Sequence, residues 1–263
     1  YPYAPDVDAL LAQFARREPV ADVTADTGVR HSLWRIDDAV DVDRLTGAFD
    51  AMPVLYIADG HHRSAAASRV AASRRAANPQ HTGTESYNFF LAVAIAHHEM
   101  RILPYNRAVT DLKGLSRQHF LSKIGKMFAL HAAPGAVMPA KPGEFGLYLT
   151  GQWYRFNIHP SLVPVDDPVG RLDVSLLADR LLAPVLGITD PRRDKRINFI
   201  GGIRGLAELE NRGDNGDMAA AFSMFPTGME ELMAVADAGL VMPPKSTWFE
   251  PKLADGLVSH VLD

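Results

Sequence analysis

Residues 56–67 read Tyr56-Ile57-Ala58-Asp59-Gly60-His61-His62-Arg63-Ser64-Ala65-Ala66-Ala67. The apolar run Pro53-Val54-Leu55-Tyr56-Ile57-Ala58 reads as a short buried strand, and Asp59-Gly60 breaks it. The Ala-rich stretch from Ser64 to Ala77 reads as a helix. His61, His62 and Arg63 then fall on the first turn of a helix that follows a strand. There the backbone N–H groups have no intrahelical acceptor and the positive end of the helix dipole points outward. Cations at that end oppose the dipole, so three in a row call for a compensating anion. The plainer reading stands beside it: Asp59 as an N-cap, Gly60 as a turn residue, Arg63 as a solvated first-turn side chain.

Working outward, the chain has 263 residues, 47% hydrophobic and 22% charged, which is ordinary globular composition with ample material for a core. A formal net charge of −4 provides no basic field to recruit nucleic acid or an anionic membrane surface. With no cysteine, disulfides, thiolate ligands and a Cys nucleophile are excluded, which suits a cytoplasmic setting. The longest apolar run, Phe89 to Ala96, is strand-sized, so no membrane span and no targeting segment is expected.

Strands and helices mix throughout, and the expected class is α/β, in the mixed α+β sense. Helices are expected over Asp6–Arg17, Asp41–Ala51 (Val42, Leu45 and Phe49 inward), Ser116–Leu130 and Ser175–Leu186, and from an N-cap at Thr227 to Ala238. Strands are expected over Gly28–Ile36, Met100–Tyr105, Arg196–Ile200 and Ala220–Phe225, with a central strand over Ser86–Ala96. Glu144–Thr150 and Trp153–Ile158 read as a hairpin about Gly151-Gln152. The Pro- and Gly-rich stretch 132–143 reads as a loop and a domain boundary, giving portions 1–131 and 144–263.

The stretch Ala58–Ala67 resembles the nucleotide-binding box of the ParB/sulfiredoxin-like superfamily, a Gly-x-x-Arg element at a strand-to-helix corner followed by small residues. ParB proteins hold the phosphates of CTP there. Sulfiredoxin binds ATP with a Gly-Cys-His-Arg version, and a free-serine kinase that uses ADP as phosphate donor has a similar element. Gly60, His62 and Arg63 match. His61 stands where sulfiredoxin has its Cys, so the thiol chemistry is lost. The whole chain resembles the family called domain of unknown function 1015, through Gly28-Val29-Arg30-His31, Tyr56 to Arg63, Leu103-Pro104-Tyr105-Asn106-Arg107, Phe199-Ile200-Gly201-Gly202 and Met242 to Lys252. Members usually extend on the N-terminal side of Tyr1, with a His-Glu-containing motif there. The resemblance implies a ParB/sulfiredoxin-like nucleotide-binding unit plus a smaller C-terminal α/β part.

Candidate residues follow. Gly60, His62, Arg63 and Ser64 are candidates for nucleotide phosphate, and Asp59, His61 and His62 for proton movement, Asp59 as base toward a hydroxyl. Adjacent histidines at a helix start diverge by about 100°, so both face one ligand only where the backbone is not yet helical. Lys245, Ser246 and Thr247 offer an ammonium and two hydroxyls to a phosphate, or form a rigid loop beside Trp248 and Phe249. Tyr105, Asn106, Arg107 and His31 are candidates for substrate contact, or are turn and strand residues. Gly201-Gly202 before Arg204 reads as a turn or an anion nest. His97-His98-Glu99 lacks the His-x-x-x-His helix pair of a metal site. No P-loop, dinucleotide fingerprint or Gly-x-Ser-x-Gly elbow is present.

The expected function is a small-molecule phosphotransferase using ATP or ADP with Mg²⁺ and acting on a hydroxyl metabolite such as free serine. The alternatives are a nucleotide-binding switch without turnover and a metal-dependent hydrolase built on the histidine pairs. Expected partners are a nucleotide and a metabolite, not nucleic acid or membrane.

Overall fold

Helices and strands mix along the whole chain, as the α/β reading expects, and they gather into two units. The computed structural model describes residues 1–261. Unit 1 comprises residues 1–100 and the segment from Pro251 onward; unit 2 comprises residues 101–250. The loop 132–143, expected as a boundary, joins two strands of one sheet inside unit 2.

Unit 1 holds helices α1 (Pro5–Phe14), α2 (Ala39–Asp50) and α3 (His61–Ala77), with a small antiparallel ribbon of β1 (Ala21–Thr24) and β2 (Arg30–Leu33). Pro5 starts α1, Asp6 and Asp8 sit at its positive end, and Val7, Leu10 and Phe14 are buried. Asp38 caps α2, its carboxylate accepting from Val40 N at 3.0 Å and Asp41 N at 3.3 Å. Leu45 and Phe49 turn to a small core with Tyr1, Val7 and Ala96, whereas Val42 is exposed, contrary to expectation. Helix α3 buries no residue; alanine propensity favours it, and Arg74 and Arg75 sit at its negative end.

Two expected strands of unit 1 do not form. Pro53–Ala58 carries no strand, and Leu55 and Ile57 are 58% and 54% exposed. Ser86–Asn88 is a 3₁₀ turn, and Phe89, Phe90, Leu91 and Val93 beyond it are all more than half exposed. An apolar run becomes a strand only where a second strand supplies its ladder. At the far end of the second run, Tyr1 N donates to Ile95 O at 2.8 Å and His97 N donates to Tyr1 O at 2.9 Å.

Unit 2 is built on a six-stranded antiparallel sheet of β4 (Tyr105–Val109), β5 (Phe128–Ala133), β6 (Glu144–Leu149), β7 (Gln152–Ile158), β8 (Ile197–Gly201) and β9 (Ala220–Met224), in the order β5-β7-β6-β9-β4-β8. A shorter pair joins β3 (Arg101–Leu103) to β10 (Trp248–Glu250). Alternation sorts the side chains onto two faces. Phe145, Leu147, Phe156 and Phe222 pack against Phe120 and Ile124 of α4 (Arg117–Gly125), Leu177 of α5 (Asp173–Leu177) and Leu181, Leu182 and Leu186 beyond it. On the other face Tyr148, Trp153, Ile200 and Ala221 meet Leu209 of α6 (Ala207–Asp214). The ribbon strand β1 was not expected.

Local signals explain the boundaries. Thr150 and Gly151 have φ of 47° and 76°, the two left-handed residues a tight hairpin needs, so the turn lies one residue earlier than expected. Ser116 caps α4 by accepting from His119 N at 3.3 Å. That helix stops at Gly125 instead of Leu130, because Phe128–Ala133 pairs with β7 along its length. Helix α5 continues as a π-helix over Ala178–Leu186, which contains Pro184, and Gly187 closes it at φ 70°. Helix α7 (Met229–Asp237) is capped by Gly228, not Thr227, whose hydroxyl donates to Ser246 O at 3.2 Å. Among the described residues no helix is long and apolar enough to cross a membrane.

Candidate functional site

The corner that opens α3 is an exposed turn. Gly60 is its N-cap residue, with φ 81° and ψ 24°, a left-handed conformation open to glycine at little cost. No side chain caps the first turn, and the first helical backbone bond runs from Ser64 N to Gly60 O at 2.9 Å. The N–H groups of His61, His62 and Arg63 therefore lack an intrahelical acceptor. All three side chains are exposed, and Ser64 behind them is half-buried.

Spacing and conformation at Gly60 and Arg63 belong together. A Cβ at residue 60 would stand 3.2 Å from Arg63 Nη2 and 3.5 Å from Cζ, so the guanidinium lies close over a turn that carries no side chain. Among the described residues Arg63 forms no ion pair with a carboxylate. Asp59 is not the helix cap: its Oδ1 accepts from Gly60 N at 2.7 Å, one residue before the first turn. Its Oδ2 lies 3.7 Å from Lys252 Nζ, an approach with no local signal in the sequence. The corner so offers backbone donors, the α3 dipole, a guanidinium and two imidazoles to an oxyanion, with one carboxylate at the edge.

His31 lies on β2 opposite Val23, and no hydrogen bond or ion pair joins it to this corner among the described residues. His97 and His98 form a 3₁₀ turn with rings 5.8 Å apart; His98 Nε2 is 3.6 Å from Asp8 Oδ2. Among the described residues no group of three or more His, Cys, Asp or Glu stands close enough to hold a metal.

The second group lies in unit 2. Tyr105 and Arg107 project from one face of β4, and Asn106 from the other, where its Oδ1 accepts from Met224 N at 3.0 Å. Arg107 is 4% exposed; its Nη1 donates to Tyr105 O and its Cζ sits 4.7 Å from the Phe199 ring centroid. Burial pushes its pKa down to about 9. Lys245 holds φ 56° and places Nζ 5.7 Å from the Tyr105 ring. Ser246 is buried with its hydroxyl donating to Pro243 O, and Thr247 is half-buried. The sequence offers these residues as two separate groups; the fold brings Tyr105 and Arg107 of one to Lys245 of the other and ties Ser246 into the loop. Gly201 and Gly202 serve close packing: a Cβ would stand 2.6 Å from the Trp248 ring at the first and 2.6 Å from Pro104 at the second, whose N–H is taken by Pro104 O at 2.7 Å.

Residues 1–175 match the family described as "Protein of unknown function (DUF1015)". No curated protein matches the chain. Among solved structures, a free serine kinase in complex with AMP is 17% identical with a TM-score of 0.35, over 57% of this chain and 54% of that one. A mutant of that kinase in complex with ADP is 19% identical with a TM-score of 0.33, over the same 57% and 54%. A conserved hypothetical protein from Pyrococcus furiosus is 17% identical with a TM-score of 0.38, over 73% of this chain and 68% of that one. The chain spans about half the length of the kinase chains it matches. Likenesses at these scores carry no argument about site or activity.

Proposed function

We propose that this chain, which belongs to the DUF1015 family, binds a nucleoside di- or triphosphate at the α3 corner and passes its terminal phosphoryl group to a hydroxyl of a small metabolite, free serine being the first to test. The observation that supports the reading is the open helix start: three first-turn N–H groups with no side-chain cap, under a guanidinium that has no carboxylate partner among the described residues. An anion there gains about 0.3–1 kcal/mol from the dipole alone, before the charge-assisted bonds of Arg63 are counted.

In the transfer, the acceptor oxygen forms a bond to the terminal phosphorus while the bridging P–O bond to the nucleotide breaks. Catalysis of such a step rests on positioning and on neutralising the oxygens. Arg63 and His62 neutralise, Gly60 and Ser64 let the backbone approach, and Asp59 takes the acceptor's proton with His61 beside it. A magnesium ion, when bound, would neutralise the phosphate oxygens. No ready cage for it gathers among the described residues, but Asp59 is a carboxylate able to share an ion carried by the phosphates.

A second reading, binding as a switch without turnover, is favoured by one feature: Asp59 already accepts from Gly60 N and faces Lys252. The metal-dependent hydrolase lacks a set of ligands among the described residues. Incubating the protein with ATP, ADP or CTP, Mg²⁺ and a panel of hydroxyl metabolites, and reading masses, separates these. Transfer to a metabolite supports the kinase, and binding without transfer supports the switch. Absence of nucleotide binding contradicts both.

A further inference from the structure

Among the described residues two charged side chains are buried, Arg107 and Glu144. Glu144 is answered twice: it pairs with Arg155 and accepts from Ala140 N at 2.9 Å. Arg107 has no such answer. It stands on the apolar face of the unit 2 sheet, opposite Phe199 on β8 and Phe222 on β9. Its only described acceptor is the Tyr105 carbonyl, and no carboxylate lies within ion-pairing distance among the described residues. A buried cation without a counter-charge is costly, and the depressed pKa registers that cost.

Arg107 is nonetheless not sealed. The residue keeps 4% of its surface, and its guanidinium nitrogens are not among the buried polar atoms left without a partner, which among the described residues are His97 Nδ1 and Asp173 Oδ2. Tyr105 links this guanidinium to a second cation. Its carbonyl accepts from Arg107, its ring faces the Lys245 ammonium at 5.7 Å, and the Trp248 ring stands 5.6 Å away. Lys245 too has no carboxylate within ion-pairing distance among the described residues.

We propose that Arg107 and Lys245 form an oxyanion site beside Tyr105, taking the carboxylate or phosphate group of a small molecule. A planar fork with free donors matches either group in a bidentate manner. The site lies wholly in unit 2 and does not rest on the nucleotide reading of α3.

The test is calorimetric titration of the Arg63→Ala protein, which removes the α3 guanidinium, with inorganic phosphate and separately with acetate, at fixed ionic strength in chloride. One of the two is expected to bind with one-to-one stoichiometry, and which one binds identifies the group. Lys245→Ala, an exposed change, is expected to weaken that binding at least fivefold, and Arg107→Met to abolish it. Arg107→Met without anion is also expected to melt no lower than its parent, since it removes an unanswered buried charge; a purely structural arginine would lower the melting temperature. Absence of binding by either anion, unchanged affinity in Lys245→Ala, or a lower melting temperature in Arg107→Met overturns the proposal.

Discussion

Arg63 lies over Gly60: the guanidinium occupies space that a Cβ at residue 60 would meet at 3.2 Å. One glycine therefore meets two demands, a left-handed backbone and room for the cation. Gly60→Ala is expected to cost about 1–2 kcal/mol from the positive φ and to shift the guanidinium by a few tenths of an ångström. Urea unfolding checks the first effect. Nucleotide titration checks the second, with affinity expected to fall more than stability alone explains.

Asp173 sets a pH dependence of stability. Its Oδ1 accepts from Gly143 N at 2.7 Å, but Oδ2 is buried without a partner. Burial first, and then the Glu231 carboxylate on α7, push its pKa up to about 7, although the Gly143 bond acts the other way. The folded state thus holds a proton that the unfolded chain, with a carboxyl near 3.9, has released. This contribution is fully present below about pH 4 and is lost as pH rises to about 7, by up to about 4 kcal/mol. Denaturant midpoints for wild type and Asp173→Asn across that window should show the slope flattened in the variant.

Gly146 sits mid-strand in β6 where the chain leaves no room. A Cβ there would stand 2.2 Å from Ser223 Oγ and 2.8 Å from Val137 O, and the Ser223 hydroxyl already donates to Val137 O. Gly146→Ala is expected to destabilise by about 1–3 kcal/mol, with the loss read as a lower midpoint at unchanged slope in urea.

Phe90 and Phe222 give opposite expectations for the same residue type. Phe222 is fully buried in the unit 2 core and Phe90 is 53% exposed. Phe222→Ala should cost about 3–5 kcal/mol, whereas Phe90→Ala should stay within about 0.5 kcal/mol. A large loss at Phe90 would show that the run is covered after all.

That contrast marks how far the sequence could be read. Helix α3, the helix end before Gly187 and the β6–β7 hairpin were legible because each rests on local chemistry: alanine propensity and left-handed glycines. The runs at Pro53 and Phe89 were misread because a short apolar stretch carries no record of whether a second strand will pair with it. The helix end at Gly125 was missed for the converse reason, since pairing with β7 overrode a helical period. The α3 corner was legible as a contiguous motif. Tyr105 and Arg107 were named in one group and Lys245 in another, but the meeting of the two groups depends on sheet pairing and on the Trp248 loop, which no spacing reveals.

The most direct test of the central claim is calorimetric titration of ADP into wild type and Arg63→Ala, with a thermal melt of each. Arg63 is exposed, so the melting temperatures should agree. Loss of a charge-assisted contact worth about 1.5–3 kcal/mol should weaken ADP binding roughly 10- to 150-fold. Equal affinity in the two proteins, or no binding to wild type, would contradict an open phosphate seat at the start of α3.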